Sequence, residues 1–140
     1  MLRQCSSTIA VTAPRQGLFE VTSHISGWLD EQDIETGLLT LFCRHTSASL
    51  LIQENAAVAA RRDLEIWFDH IAPEDRALYT HNDEGPDDMP AHIRAALTAT
   101  QLSMPIQNKR MALGTWQGIY LFEHRREPSR REIALHLIGE

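Results

Sequence analysis

Three short apolar segments constrain this chain most. GLLTLFCR (37–44) is continuously apolar after Gly37, and GTWQGIYLFEH (114–124) is dense in large apolar and aromatic residues. REIALHLIGE (131–140) alternates Ile133, Leu135 and Leu137 against Glu132, Ala134 and His136. Runs this short read as strands and not as helices. The continuous run 37–44 is expected to be buried on both faces of a sheet, and the alternating one to be half exposed. STIAVTA (7–13) is a further strand, closed by a turn at Pro14 and Gly17. LFEVTSHISGWLDEQ (18–32) begins as a strand and continues as a short helix on the spacing of Ile25, Trp28 and Leu29. SASLLIQE (47–54) is a strand or a loop leading into one, and SMPIQNKRMAL (103–113) a strand pair turning at Asn108-Lys109.

Two longer stretches carry helical periodicity. From Asn55, a candidate N-cap, to Ile71, the residues Val58, Leu64, Trp67, Phe68 and Ile71 form one apolar stripe. AHIRAALTATQL (91–102) is a second, Ala-rich helix, and residues 72–90 between them are polar and turn-rich. Grouped strands with two helices predict an α+β domain over 1–140, the helices covering one face of a mostly antiparallel sheet.

Composition narrows the function classes. At 43% hydrophobic residues the chain can build a core, and its net charge of −6 opposes nucleic-acid binding, which needs a basic face. No apolar run approaches membrane-spanning length, and MLRQCSSTIAV lacks a secretory pattern, so a cytoplasmic protein without a membrane partner is expected. The two cysteines, Cys5 and Cys43, are expected to be reduced.

Three stretches could carry chemistry. In HNDEGPDDMPAHI (81–93), Gly85, Pro86 and Pro90 interrupt any single helix, yet His81 and His92 flank Asp83, Glu84, Asp87 and Asp88. Imidazoles with carboxylates suit a divalent cation, and His92 at a helix start would favour a nearby anion. The bland reading is a solvated acidic loop. In CRHTSASLLIQEN (43–55), His45 leaves a strand end beside the Thr46, Ser47 and Ser49 hydroxyls, which could donate to an oxyanion or satisfy their own backbone. In GTWQGIYLFEHRREPSRRE (114–132), Glu123 ends a strand before Arg125, Arg126, Arg130 and Arg131. These arginines suit a phosphate clamp or simple pairing with Glu127 and Glu132. Trp28, Trp67 and Trp116 are expected in the core or at an interface between copies.

Four segments taken together, RHTSASLLIQEN (44–55), YTHNDEGPDDMPAHIRAAL (79–97), LGTWQGIYLFEHR (113–125) and the strand ending in LIGE (137–140), resemble the YjbQ family, also named secondary thiamine-phosphate synthase. The resemblance implies a compact α+β domain on a β-sandwich-like core, assembled as a homotrimer with clefts between subunits. It implies that His45, His81 and His92 gather in such a cleft around a metal or an anion. It also puts Glu123 and the arginines after it in the same region. The implied activity joins a pyrimidine pyrophosphate to a thiazole phosphate. Read onto this sequence, Glu123 and Asp88 would handle protons, and Thr46, Ser47, Arg125, Arg130 and Arg131 would bind substrate phosphate. His45, His81 and His92 would hold a divalent metal, zinc suiting imidazole and magnesium preferring oxygen. Many relatives have Asp-Gly after the glutamate, where this chain has EHRREPSRRE (123–132), with His124 in the altered stretch. The alternative expectation is a non-catalytic trimer that binds a metal or a phosphorylated metabolite. A third is an interaction protein whose histidines are structural.

Overall fold

The computed structural model describes residues 1–140. Two antiparallel sheets form around one apolar centre. The larger contains β1 (Arg3–Ala13), β3 (Gly37–Cys43), β5 (Gln101–Gln107), β6 (Arg110–Met111) and β8 (Ser129–Gly139) in the order β1-β8-β3-β5-β6. The smaller contains β2 (Gly17–Glu20), β4 (Ala48–Glu54) and β7 (Gln117–Glu123) in the order β2-β7-β4. The helices are α1 (Thr22–Asp30), α2 (Val58–Ile71) and α3 (Asp88–Leu97), with one 3-10 turn at Arg76–Leu78. The short helix expected from the Ile25, Trp28 and Leu29 spacing is α1, so the domain has three α-helices where the two longer stretches alone gave two.

Alternation within each strand assigns its residues to layers. In β7, Ile119 and Leu121 join the main core, while Tyr120 and Phe122 point the other way into a second cluster with Leu18 and Phe68. The small sheet is therefore apolar on both faces, with the large sheet on one side and α2 on the other. That makes 117–123 the doubly buried run. The run 37–44, expected to be buried on both faces, is buried on one: Leu39, Leu41 and Cys43 face the core, whereas Leu38 and Phe42 are each 45% exposed. The cause is that no element covers the outer face of the large sheet. In β8 the expected alternation holds, with Ile133, Leu135 and Leu137 buried.

Element ends differ from the sequence expectation for local reasons. Asn55 does not cap α2: the extended residue Ala57 precedes the helix, and the Asn55 amide donates instead to Glu20. Helix α3 starts at Asp88 and not at 91, since Pro90 lies in a first turn where its missing N–H costs nothing. It also stops at Leu97, so 101–107 is strand. The Asn108-Lys109 turn is as read, both residues adopting positive φ (52° and 64°). Gly37 opens β3 where a Cβ would lie 2.4 Å from the Ile138 carbonyl oxygen, so only glycine lets β3 and β8 approach there.

Candidate functional site

Asp88 is the first residue of α3 and His92 lies one turn further on, so both project from one helix face. The preceding loop brings His81 back to the same place. Gly85 takes φ +103°, a conformation L side chains rarely adopt, and this lets the chain reverse before Asp87. Asp88 Oδ2 then lies 2.8 Å from His81 Nε2 and 3.2 Å from His92 Nε2. Glu84 adds an oxygen 3.0 Å from His81 Nε2. The ligand atoms of His81, Glu84, Asp88 and His92 all lie within 4.8 Å of one another.

Arg125 holds this loop in shape. Its guanidinium donates to Asp88 Oδ1 at 2.5 Å and to the Glu84 carbonyl at 2.8 Å, and lies 3.2 Å from Asp87. The backbone N–H of Arg126 donates to the same Asp87 oxygen, Oδ2, at 2.9 Å. With Oδ1 fixed by Arg125, Oδ2 is left facing the two imidazoles. Asp88 is only 4% exposed. Burial alone would raise its pKa, but the His81 hydrogen bond and the His92 and Arg125 charges override it and hold the carboxyl below its usual range. The same contest lowers Asp87, where the Arg126 N–H and the Arg125 charge outweigh burial. The Asp88 hydrogen bond raises His81, helped by Asp83 and Glu84. Two imidazole nitrogens with two carboxylates form a mixed donor set that fits zinc or another imidazole-binding metal better than magnesium.

His45 stands outside this group. Its Nε2 accepts the backbone N–H of Glu132 at 2.7 Å, and burial and the Arg131 charge lower its pKa. Within one chain the structure therefore brings together two of the three histidines, because the third is used to join β8 to the β3–β4 turn. His45 and His92 do line one cavity of about 850 Å³, with Phe42, Thr46, Ser47 and Arg131.

The arginines divide by partner. Arg131 is 7% exposed; its Nε and Nη2 meet the two oxygens of the fully buried Glu123 at 2.6 Å, Nη2 also donates to Ser47, and Nη1 approaches only His45 Nδ1, at 3.5 Å. Both Glu123 oxygens are taken by Arg131, so Glu123 serves as its counterion. Arg131 Nη1 is left without a close acceptor at the cavity that Arg131 lines with His45. Arg130 is exposed and pairs with Glu132, the bland alternative for that residue. Arg125 serves the acidic loop.

Sequence reasoning missed the support behind the site. His124 is fully buried. Thr98 Oγ1 donates to the Arg94 carbonyl and lies 2.5 Å from Ser49 Oγ, which in turn lies 2.8 Å from His124 Nε2. Since Thr98 gives its proton to Arg94, Ser49 donates to Thr98 and His124 Nε2–H donates to Ser49. Burial, then Arg94 and Arg131, push the His124 pKa down to about 3. Arg94 itself is 3% exposed. An arginine on the inward stripe of α3, in register with Ala91, was the available signal for it. Trp67 and Trp116 are 54% and 63% exposed and Trp28 packs against the core, so only Trp28 is a core residue within the chain.

The family model for UPF0047 protein YjbQ-like matches residues 7–140. The UPF0047 protein sll1880 of Synechocystis sp. is 47% identical over 138 residues, 99% of this chain and 94% of its own. The UPF0047 protein YjbQ of Salmonella typhimurium is 42% identical over 134 residues, 95% and 96% of the two chains. Among solved structures, the conserved hypothetical protein TT1486 of Thermus thermophilus is similar at TM-score 0.81 and 30% identity, covering 92% of this chain and 97% of its own. A YbjQ-like protein of unknown function from Sulfolobus solfataricus has the same fold at TM-score 0.90, 22% identity and full coverage of both chains. The signature segments, the two-sheet topology and the near-complete overlap agree: this chain belongs to the YjbQ-like UPF0047 family.

Proposed function

We propose that the chain is a metal-assisted enzyme acting on a small phosphorylated substrate. Thiamine-phosphate synthesis from a pyrimidine pyrophosphate and a thiazole phosphate is the named case. The observation that supports this most is the single oxygen, Asp88 Oδ2, set between the Nε2 atoms of His81 and His92. A divalent cation bound there would neutralise charge on a departing pyrophosphate. Arg125 keeps Asp88 turned toward the imidazoles. His92 also borders the cavity lined by Thr46, Ser47 and Arg44, so a molecule held by those donors would lie beside the cluster. Homotrimeric assembly with the site at clefts between copies belongs to the same proposal. It is supported by Leu38 and Phe42, exposed on the uncovered sheet face, with Phe42 at the cavity edge. Unpaired Cys5 and Cys43 are consistent with a cytoplasmic location, and no helix is long and apolar enough to cross a membrane.

A second reading, a non-catalytic trimer that holds a metal or a phosphorylated metabolite, is favoured by one observation. The three buried carboxylates, Asp87, Asp88 and Glu123, are each paired with an arginine. The deciding experiment measures pyrophosphate release by purified protein from the two phosphorylated substrates with zinc, manganese or magnesium. Release that disappears in folded His92→Ala protein supports the enzyme. Turnover unchanged in that variant overturns the site, and tight binding without release favours the binding protein.

A further inference from the structure

A second cavity, of about 520 Å³, shares no lining residue with the candidate metal cluster, and its lining includes Arg15, Arg94, Arg126, Asp69 and Glu74. Four parts of the chain meet there. Arg15 comes from the β1–β2 turn, Arg94 from α3, Arg126 from the β7–β8 loop, and Asp69 and Glu74 from the end of α2 and just beyond it. Three guanidiniums face two carboxylates.

The guanidiniums are under-used. Arg15 donates only to the Gln16 carbonyl, Arg94 only to Asp69 at 2.7 Å, and Arg126 only to Glu74 at 2.5 Å. Arg15 and Arg126 are exposed, so water can meet their further N–H donors, whereas the donors of a buried guanidinium need acceptors from protein or ligand. Arg131, a few residues along the chain, is better partnered, its Nε and Nη2 meeting both Glu123 oxygens and Ser47. Arg94 is the informative case. It is 3% exposed, its Nε has no partner, and its one carboxylate, on Asp69, has a side chain 62% exposed. A buried guanidinium with so few partners is costly unless something else takes its donors. The C-terminal end of α2 at the rim works against an anion, so recognition would rest on the guanidinium donors themselves.

We propose that this cavity binds a small phosphate-type oxyanion through Arg15, Arg94 and Arg126, separately from the candidate cation site. Guanidinium forks match tetrahedral oxyanions in bidentate geometry. The exposed Asp69 carboxylate can swing aside as the anion takes its place on Arg94. The site needs no metal and no part of the proposed reaction.

The test is calorimetric titration of the whole purified protein with inorganic phosphate and then pyrophosphate, in buffer freed of metal by chelating resin. Saturable binding is expected, weakened about tenfold in Arg15→Ala and again in Arg126→Ala, and unchanged in Asp88→Asn. The Nε–H resonance of Arg94 in an NMR spectrum is expected to move as phosphate is added, which reads the buried residue without mutating it. Absence of saturable binding of either anion overturns the proposal. So does binding that survives the Arg15→Ala/Arg126→Ala double variant but is lost in Asp88→Asn. An Arg94 resonance that stays still at saturation overturns it as well. The cation centre would be untouched by any of these failures.

Discussion

His124 should make the fold sensitive to mild acid. Unfolded, it titrates near the ordinary imidazole value of 6.5, whereas in the folded chain burial, with Arg94 and Arg131, holds it near 3. A depressed imidazole pKa means that the unfolded chain binds an extra proton between those values. Stability therefore falls as pH drops through that window, by about 1.4 kcal/mol per pH unit for one proton. From about pH 6 to about pH 4.5 the loss is about 2 kcal/mol, or about 8 °C in melting temperature for a domain of this size. Other groups separate from this effect. His45 is lowered and adds in the same direction. His81 is raised, so its contribution is present below its unfolded pKa and is lost only as pH climbs through the raised value, above the window. Asp87 and Asp88 are lowered and lose their contribution only below the ordinary carboxylate range. In His124→Gln the amide can still donate to Ser49 but does not titrate. Urea denaturation followed by tryptophan fluorescence, repeated across the window, should show a clear slope in the native chain and most of it gone in the variant. A flat native profile, or an equal slope in both proteins, would show that His124 does not set the acid sensitivity.

Two further perturbations test the frame around the site. Glu123→Leu strands Arg131 in the interior and should cost about 3–5 kcal/mol by chemical denaturation, with Arg131→Met in the same chain recovering most of it. A cost below about 1 kcal/mol would mean that the pair is not held out of water. Gly37→Ala puts a methyl group 2.4 Å from the Ile138 carbonyl oxygen and should cost about 1–3 kcal/mol, seen as a lower urea midpoint at unchanged slope. Stability equal to that of the native chain would show that β3 and β8 do not approach as described.

Much of the strand content could be read from the chain because side-chain period follows local geometry. The alternation of Ile133, Leu135 and Leu137 needed only a sheet with one covered face. Which run is covered on both faces was not legible, since that depends on what packs beyond the sheet. The run 37–44 looked more continuous than 117–123, but α2 lies over β7 and nothing lies over β3. The joining of His81 to His92 follows from the loop between them and the i,i+4 step from Asp88. The separation of His45 follows from a hydrogen bond to Glu132, a residue 87 positions away, and no local pattern encodes that. Glu123 and the arginines illustrate the same limit. Their types suggested catalysis and phosphate binding, but not that both Glu123 oxygens pair with Arg131 or that Arg125 joins the acidic loop. Arg94 was overlooked because an arginine in an Ala-rich helix is ordinarily solvated.

The proposed function requires that Asp88 Oδ2 and the imidazoles flanking it bind a divalent cation. Zinc titration of the metal-free chain against a chromogenic chelator measures it directly, repeated at lower pH because the raised His81 makes protons compete with the metal. A single saturable site per chain is predicted, weaker at acid pH and reduced at least about tenfold in both His92→Ala and Asp88→Asn. Equal affinity in the native chain and both variants, or no saturable binding at all, would contradict the account.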